Sequence, residues 1–189
     1  MKKQSLVLSW LLFIPTVIFA ATINQAFVDE QNEHYLINLV IQVDSPKQSL
    51  IDVLTNYGQL NELSETIISS QLLEQKANTA KVKLVSEGCI FLFCKTITQV
   101  QNVSHIGDND LIVNVESLAD NIKSGVHYWR FKSIDENKTL VTYSADIEPD
   151  FWVPSFLGSW LFQNRLLDEA TEIISNAETI ANQQSVDKE

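Results

Sequence analysis

No proline follows Pro154, and beyond it apolar side chains recur at helical steps: Phe156, Trp160, Leu167, Ile174, Ala177 and Ala181. One long helix is the element the rest of this chain must accommodate. About 25 residues at 1.5 Å each give ~38 Å, enough to cross a small domain. Pro154 suits a first helical turn, where its missing N–H costs nothing, and Asp150 or Ser155 is placed to cap it. The first turns are aromatic nearly all round (Phe151, Trp152, Phe156, Trp160, Phe162), whereas the last turns are amphipathic. A helix end that is apolar on every side needs contact on every side. A core, a ligand cavity or a membrane surface would each supply it.

The stretch before this helix reads mostly as strands. His34–Val43 is the first, and it ends at Asp44-Ser45-Pro46, where Ser45 and Pro46 start a short helix carrying Leu50, Val53, Leu54 and Tyr57. Gly58 stops that helix, and Leu60 and Leu63 suggest a second short one. Strands follow at 67–75, 80–87, 95–103, 111–118, 125–134 and 139–147, separated by turn signals such as Asp108-Asn109-Asp110 and Asp135-Glu136-Asn137-Lys138. Strands joined by short turns make an antiparallel meander, and the face of that sheet must be covered. The terminal helix is the one element long enough to cover it. The expected fold is therefore α+β: a curved antiparallel sheet of about six or seven strands wrapped round a long C-terminal helix, with one or two short helices after the first strand. A lipocalin-like barrel would fit the strands but not the helices inserted behind the first of them.

The N-terminus has a different character. Lys2 and Lys3 precede a run from Leu6 to Ala21 that is apolar apart from Ser9 and Thr16 and broken at Pro15, with Ala20 and Ala21 at its end. That is the form of a secretory signal peptide, residues 1–21, cleaved after Ala20 or Ala21. Its 16 positions fall short of the ~20 that a spanning helix needs, although an uncleaved anchor in the inner membrane is the alternative. Residues 22–33 read as a lead-in, 34–182 as the domain and 183–189 as an acidic tail. Loss of Lys2 and Lys3 would take the net charge from −11 to −13. So acidic a surface is repelled by nucleic-acid phosphates and by anionic lipid, which excludes both nucleic acid and electrostatic membrane docking. Phe91-Leu92-Phe93 is the one apolar tip that would touch a membrane or a partner, unless it folds back on the core.

Cys89 and Cys94 are the two cysteines. An exported protein meets an oxidising compartment, which favours a disulfide across this short loop over two buried thiols. No histidine or second cysteine pair lies near enough for zinc. His34, His105 and His127 are far apart in sequence and read as surface or edge residues, so neither a metal site nor a cofactor is expected. Glu148 and Asp150 flank Pro149, where a cap and turn is a simpler account than an acid/base pair. No phosphate loop, nucleophile elbow or zinc signature is present, and no catalytic residue is assigned.

The order and spacing of these segments resemble the START-like (SRPBCC, helix-grip) superfamily, and within it the polyketide cyclase/dehydrase and coenzyme Q-binding branch. The carrying residues are Ile41-Gln42-Val43-Asp44-Ser45-Pro46 leading into Val53-Leu54-Thr55-Asn56-Tyr57. Tyr128-Trp129-Arg130-Phe131 and Thr139-Leu140-Val141-Thr142-Tyr143 follow, and Val153-Pro154-Ser155-Phe156-Leu157 opens the long helix. The cysteine pair and the signal peptide resemble an exported bacterial subgroup. The resemblance implies a cavity between sheet and helix for a small apolar molecule such as a lipid, quinone or polyketide. It nominates Trp129, Phe131, Val141, Tyr143, Trp152, Phe156, Trp160 and Asn164 as its lining. A core filled by its own aromatics would use the same side chains. Asn164 would bond a ligand carbonyl or, equally, backbone or solvent. For a cyclase-type enzyme the candidate titratable groups are Tyr143, His127 and Arg130. The expected location is the periplasm or the exterior. Intact mass and N-terminal sequencing of the exported protein should find a chain starting at Ala21 or Thr22; a chain that retains Met1 or Lys2 establishes the anchored alternative.

Overall fold

The computed structural model describes residues 21–90, 93–116, 121–151 and 159–186. The expected signal peptide, apart from Ala21, lies outside the described residues. So do Phe91, Leu92, Trp152, Ser155, Phe156 and the last three residues.

Eight strands form one antiparallel sheet. They are β1 (Thr22–Gln31), β2 (His34–Val43), β3 (Ile67–Lys76), β4 (Thr79–Ile90), β5 (Phe93–Ile106), β6 (Asp110–Val115), β7 (Ile122–Asp135) and β8 (Lys138–Pro149). Their order across the sheet is β1-β2-β8-β7-β6-β5-β4-β3. Helix α1 (Lys47–Leu54) and a 3-10 turn (Leu60–Glu62) carry the chain from β2 to the far edge, where β3 starts a meander that returns to β2 at β8. Helix α2 (Ser159–Val186) then lies against β2, β1 and α1. The expected helix grip is present, with eight strands rather than six or seven.

The additional strand is β1. Residues 22–31, read from the sequence as a lead-in, pair along their length with β2. Asn32 and Glu33 join the two strands with φ of 53° and 68°. Two successive positive φ values give the turn whose twist matches a tight hairpin. Nearly all of β1 is exposed, so it carries no apolar alternation to read. At the other end α2 continues to Val186, through most of the stretch expected as a tail.

The core follows from period-two alternation on neighbouring strands. Ile37, Leu39, Ile41 and Val43 of β2 stand opposite Ala145, Tyr143, Val141 and Thr139 of β8, and all are buried. Ala170, Ile174, Ala177 and Ala181 of α2 close over them together with Leu50, Ile51 and Val53 of α1. Alanine at three of the four helix positions brings the backbone close to the sheet. Each large aliphatic side chain so buried contributes about 1.5–3 kcal/mol. Ser45 does not cap α1: Pro46 stands at that position, the Ser45 hydroxyl is buried without a partner, and its carbonyl accepts from Thr139 Oγ1 at 2.8 Å. Asp150 does not cap α2, which begins at Ser159; its N–H donates to the Asn121 carbonyl at 3.0 Å. Among the described residues no helix is long and apolar enough to cross a membrane.

One carboxylate is buried where α2 meets the end of β2. Glu178 Oε1 accepts the Asp44 N–H at 2.5 Å, and Asn182 Nδ2 donates to the Asp44 carbonyl at 2.9 Å. Burial raises the Glu178 pKa above 4.5, the Asp44 N–H opposes that shift, and the nearby Asp44 carboxylate adds to it. The folded state thus holds this proton more tightly than the unfolded chain. Its stabilising effect is absent well above the folded pKa and grows as pH falls through that value toward 4.5. Glu178→Gln keeps the acceptor but removes the titration. Urea unfolding at pH 7 and pH 5 should therefore show a smaller gain on acidification in the variant than in the parent; equal gains would show that Glu178 is not the linked group.

Candidate ligand-binding cavity

The first half of α2 crosses the sheet with Leu166, Ala170 and Ile173 turned toward it. Between them lies a cavity of about 480 Å³, within the usual range for small-molecule sites. The alternating inward residues of the long strands form one wall, among them Leu84, Val103, Val113, Trp129 and Tyr143. Leu166, Ala170 and Ile173 of α2 form the opposite wall, and Leu54, Tyr57, Leu60 and Leu63 close one side. Glu87, Gly88, Cys89 and Lys95 at the end of the β4–β5 hairpin, with Arg165 on α2, are exposed lining residues and mark its mouth. Cys89 and Cys94 face each other across that hairpin and are disulfide-bonded.

The polar groups of the cavity are few and mostly paired. His127 Nδ1 and Tyr143 Oη are 2.8 Å apart, and the Trp129 ring lies 4.4 Å from that of Tyr143. Adjacent strands produce this meeting: His127 and Trp129 share one face of β7, and the β7–β8 register sets Trp129 opposite Tyr143. At Gly125, two residues before His127, a Cβ would come within 2.9 Å of Val115 Cγ2 but stay 3.8 Å from His127 Nε2, so it is Val115 that requires glycine there. Removal from water pushes the His127 pKa down to about 4. Burial raises the Tyr143 pKa above 10, and the negative charge of Glu169 raises it further. At neutral pH both groups are uncharged. Glu169 accepts from Thr66 Oγ1, Gln101 Nε2 donates to Gln99 Oε1 at 3.1 Å, and Tyr57 Oη lies 3.1 Å from His105 Nε2. Burial pushes the Tyr57 pKa up to about 12.

Of the residues nominated from sequence, Trp129 and Tyr143 line the cavity. Phe131 and Val141 face the same way but are consumed in the packed core beside α1 and the second half of α2. Trp160 is 67% exposed, and Asn164 is half-buried on α2 away from the lining. Trp152 and Phe156 lie outside the described residues. Arg130 points away from the cavity and pairs with Asp110 through Nε and Nη2 at 3.1 and 3.0 Å. His127, read from sequence as a surface or edge residue, is corrected to a cavity-wall residue; its two-residue step from Trp129 carried that signal. Tyr57, Gln99 and Glu169 were not anticipated. No group of three or more His, Cys, Asp or Glu is placed to hold a metal ion among the described residues.

The two histidines at opposite extremes allow a direct check. Asp146 Oδ1 lies 2.8 Å from His34 Nδ1 and raises the His34 pKa above 6.5. A base with a lowered folded pKa costs stability as pH falls from 6.5 through about 4. In a proton NMR titration of the folded protein, the His127 imidazole should titrate near pH 4 and that of His34 above pH 6.5. A His127 midpoint near 6.5 would place its ring in water rather than on the cavity wall.

Several solved structures share this fold at low identity. The Zhui aromatase/cyclase from Streptomyces sp. R1128 is 10% identical, with a TM-score of 0.67 over 80% of this chain and 96% of that one. A START superfamily protein from Mycobacterium smegmatis is 12% identical, with a TM-score of 0.63 over 77% and 98%. The STAR-related lipid transfer protein from Xanthomonas axonopodis is 13% identical, with a TM-score of 0.57 over 87% and 98%. Comparison of the sequence with curated proteins finds no match. The profile described as polyketide cyclase / dehydrase and lipid transport matches residues 43–172, more than half the chain, and on that match the protein belongs to this family.

Proposed function

We propose that this is an exported binding protein that holds one small apolar molecule, lipid-, quinone- or polyketide-like, between its sheet and the first half of α2. The carrying observation is the cavity of about 480 Å³ with predominantly aliphatic and aromatic walls. Burial of apolar ligand surface there, at ~25 cal/mol per Å², supplies most of the affinity. The few polar groups orient the ligand. The family is described by both cyclase/dehydrase and lipid-transport activities, and either places an apolar molecule inside the fold. Export is supported by the signal-peptide form of residues 1–21 and by the disulfide at the mouth.

A cyclase- or dehydratase-type enzyme is the second reading, and the His127–Tyr143 pair on the cavity wall is what favours it. Such an enzyme needs a base poised near the working pH. His127 is held well below that, which supports retention of a ligand over its turnover.

The test is to produce the full chain with its export signal, purify it without detergent, and combine native mass spectrometry with solvent extraction. A stoichiometric apolar adduct is the expected result and would name the ligand class. An empty mass together with no uptake from an offered panel of lipids and quinones would sink the proposal.

A further inference from the structure

The hydrogen-bonding capacity of the His127–Tyr143 pair has a definite remainder. A neutral imidazole brings one N–H and the phenol brings one O–H, and the contact between them uses one donor and one acceptor. If the phenol donates to Nδ1, the Nε2–H is left over. If Nδ1–H donates to the phenol oxygen, the O–H is left over. In both arrangements the pair carries no charge and retains one hydrogen-bond donor, on residues that line the cavity. Glu169 lines the same cavity and adds negative charge close enough to act on Tyr143.

We infer that this pair is a recognition site for one uncharged oxygen, a carbonyl or hydroxyl, on an otherwise apolar ligand, and that it selects against a carboxylate at the same position. The inference rests on the cavity reading above and specifies its ligand chemistry. A buried anion needs a cation or several donors to replace its hydration. One neutral donor beside a carboxylate offers neither. A ketone or alcohol oxygen asks for a single hydrogen bond and receives it. The cations of the cavity, Lys95 and Arg165, are exposed at its mouth, with Glu87 beside them among the exposed lining residues. An anion held there would be indifferent to Tyr143.

The experiment is equilibrium dialysis of the full mature protein at pH 7.5 against four probes of one shape: naphthalene, 2-naphthol, 2-acetylnaphthalene and 2-naphthoate. The naphthol and the ketone should bind at least about tenfold more tightly than naphthoate, a factor within reach of one hydrogen bond plus the cost of burying a charge. Tyr143→Phe keeps the ring and removes the hydroxyl. Where the O–H is the spare donor, this variant should lower the affinity of the naphthol and the ketone relative to naphthalene roughly three- to tenfold; where the Nε2–H is the spare donor, His127→Phe, which removes both ring nitrogens, should do so instead. Far-UV circular dichroism shows that each variant is folded before its ratio is read. Naphthoate binding as tightly as the ketone, or a ketone-to-naphthalene ratio unmoved by both substitutions, overturns the inference while the cavity reading stands. If no probe binds, naphthalene included, the cavity reading fails and this inference fails with it.

Discussion

The contact between the second half of α2 and the β2–β8 strip governs this structure. Ile174, Ala177 and Ala181 bring the helix down onto Leu39, Ile41 and Val141, and Glu178 and Asn182 pin the same half to the backbone of Asp44. Small side chains make the approach close, and close approach excludes water from the whole patch. With that half seated, the direction of α2 is set. The first half then crosses the part of the sheet that carries Trp129 and Tyr143. The cavity is the space left between that half of the helix and the inward face of the strands.

This division explains why the eight residues first nominated for the cavity separate in the structure. Phe131 and Val141 share an inward face with Trp129 and Tyr143 but lie farther toward the clamped end, and the helix absorbs them into the core. Inward direction is a property of strand alternation and is legible in sequence. Distance from the clamp is a property of register and curvature, which alternation does not encode. The same limit hid Gln99, on a strand whose existence was legible; Tyr57, expected on the short helix, lies in the turn beyond the end of α1 at Leu54.

The frame itself was largely readable. His34–Val43 was delimited as a strand, and 80–87, 111–118, 125–134 and 139–147 were located by their alternation, as the buried faces of β6 and β8 bear out; β3 is largely exposed and was read without that signal. The stretch that escaped, β1, is an exposed edge strand held by backbone bonds to β2, with a polar Asn-Glu turn in place of a glycine-containing one. Its cause is pairing, not burial, and pairing leaves no apolar period. His127 was misjudged for a different reason. A histidine between apolar neighbours is neutral to a reading of hydropathy, yet its phase with Trp129 and Phe131 already placed it on the inner face.

Holding a molecule and transforming it make opposite demands on His127 and Tyr143. Proton transfer works best when the acid and base have pKa values near the working pH. Here desolvation drives the two apart, the imidazole down to about 4 and the phenol above its ordinary value. Moving a proton from Tyr143 to His127 would create two charges on the cavity wall, within reach of the negative charge of Glu169. As a neutral hydrogen-bonding pair the two residues incur no such cost, and their state stays constant from mildly acidic to alkaline pH. A ligand with one uncharged oxygen would leave that state intact, whereas a reaction would first have to overturn it. The physical chemistry of the wall therefore supports the proposed recognition over catalysis, and the apolar volume around it suits a mainly hydrocarbon body with a single polar mark.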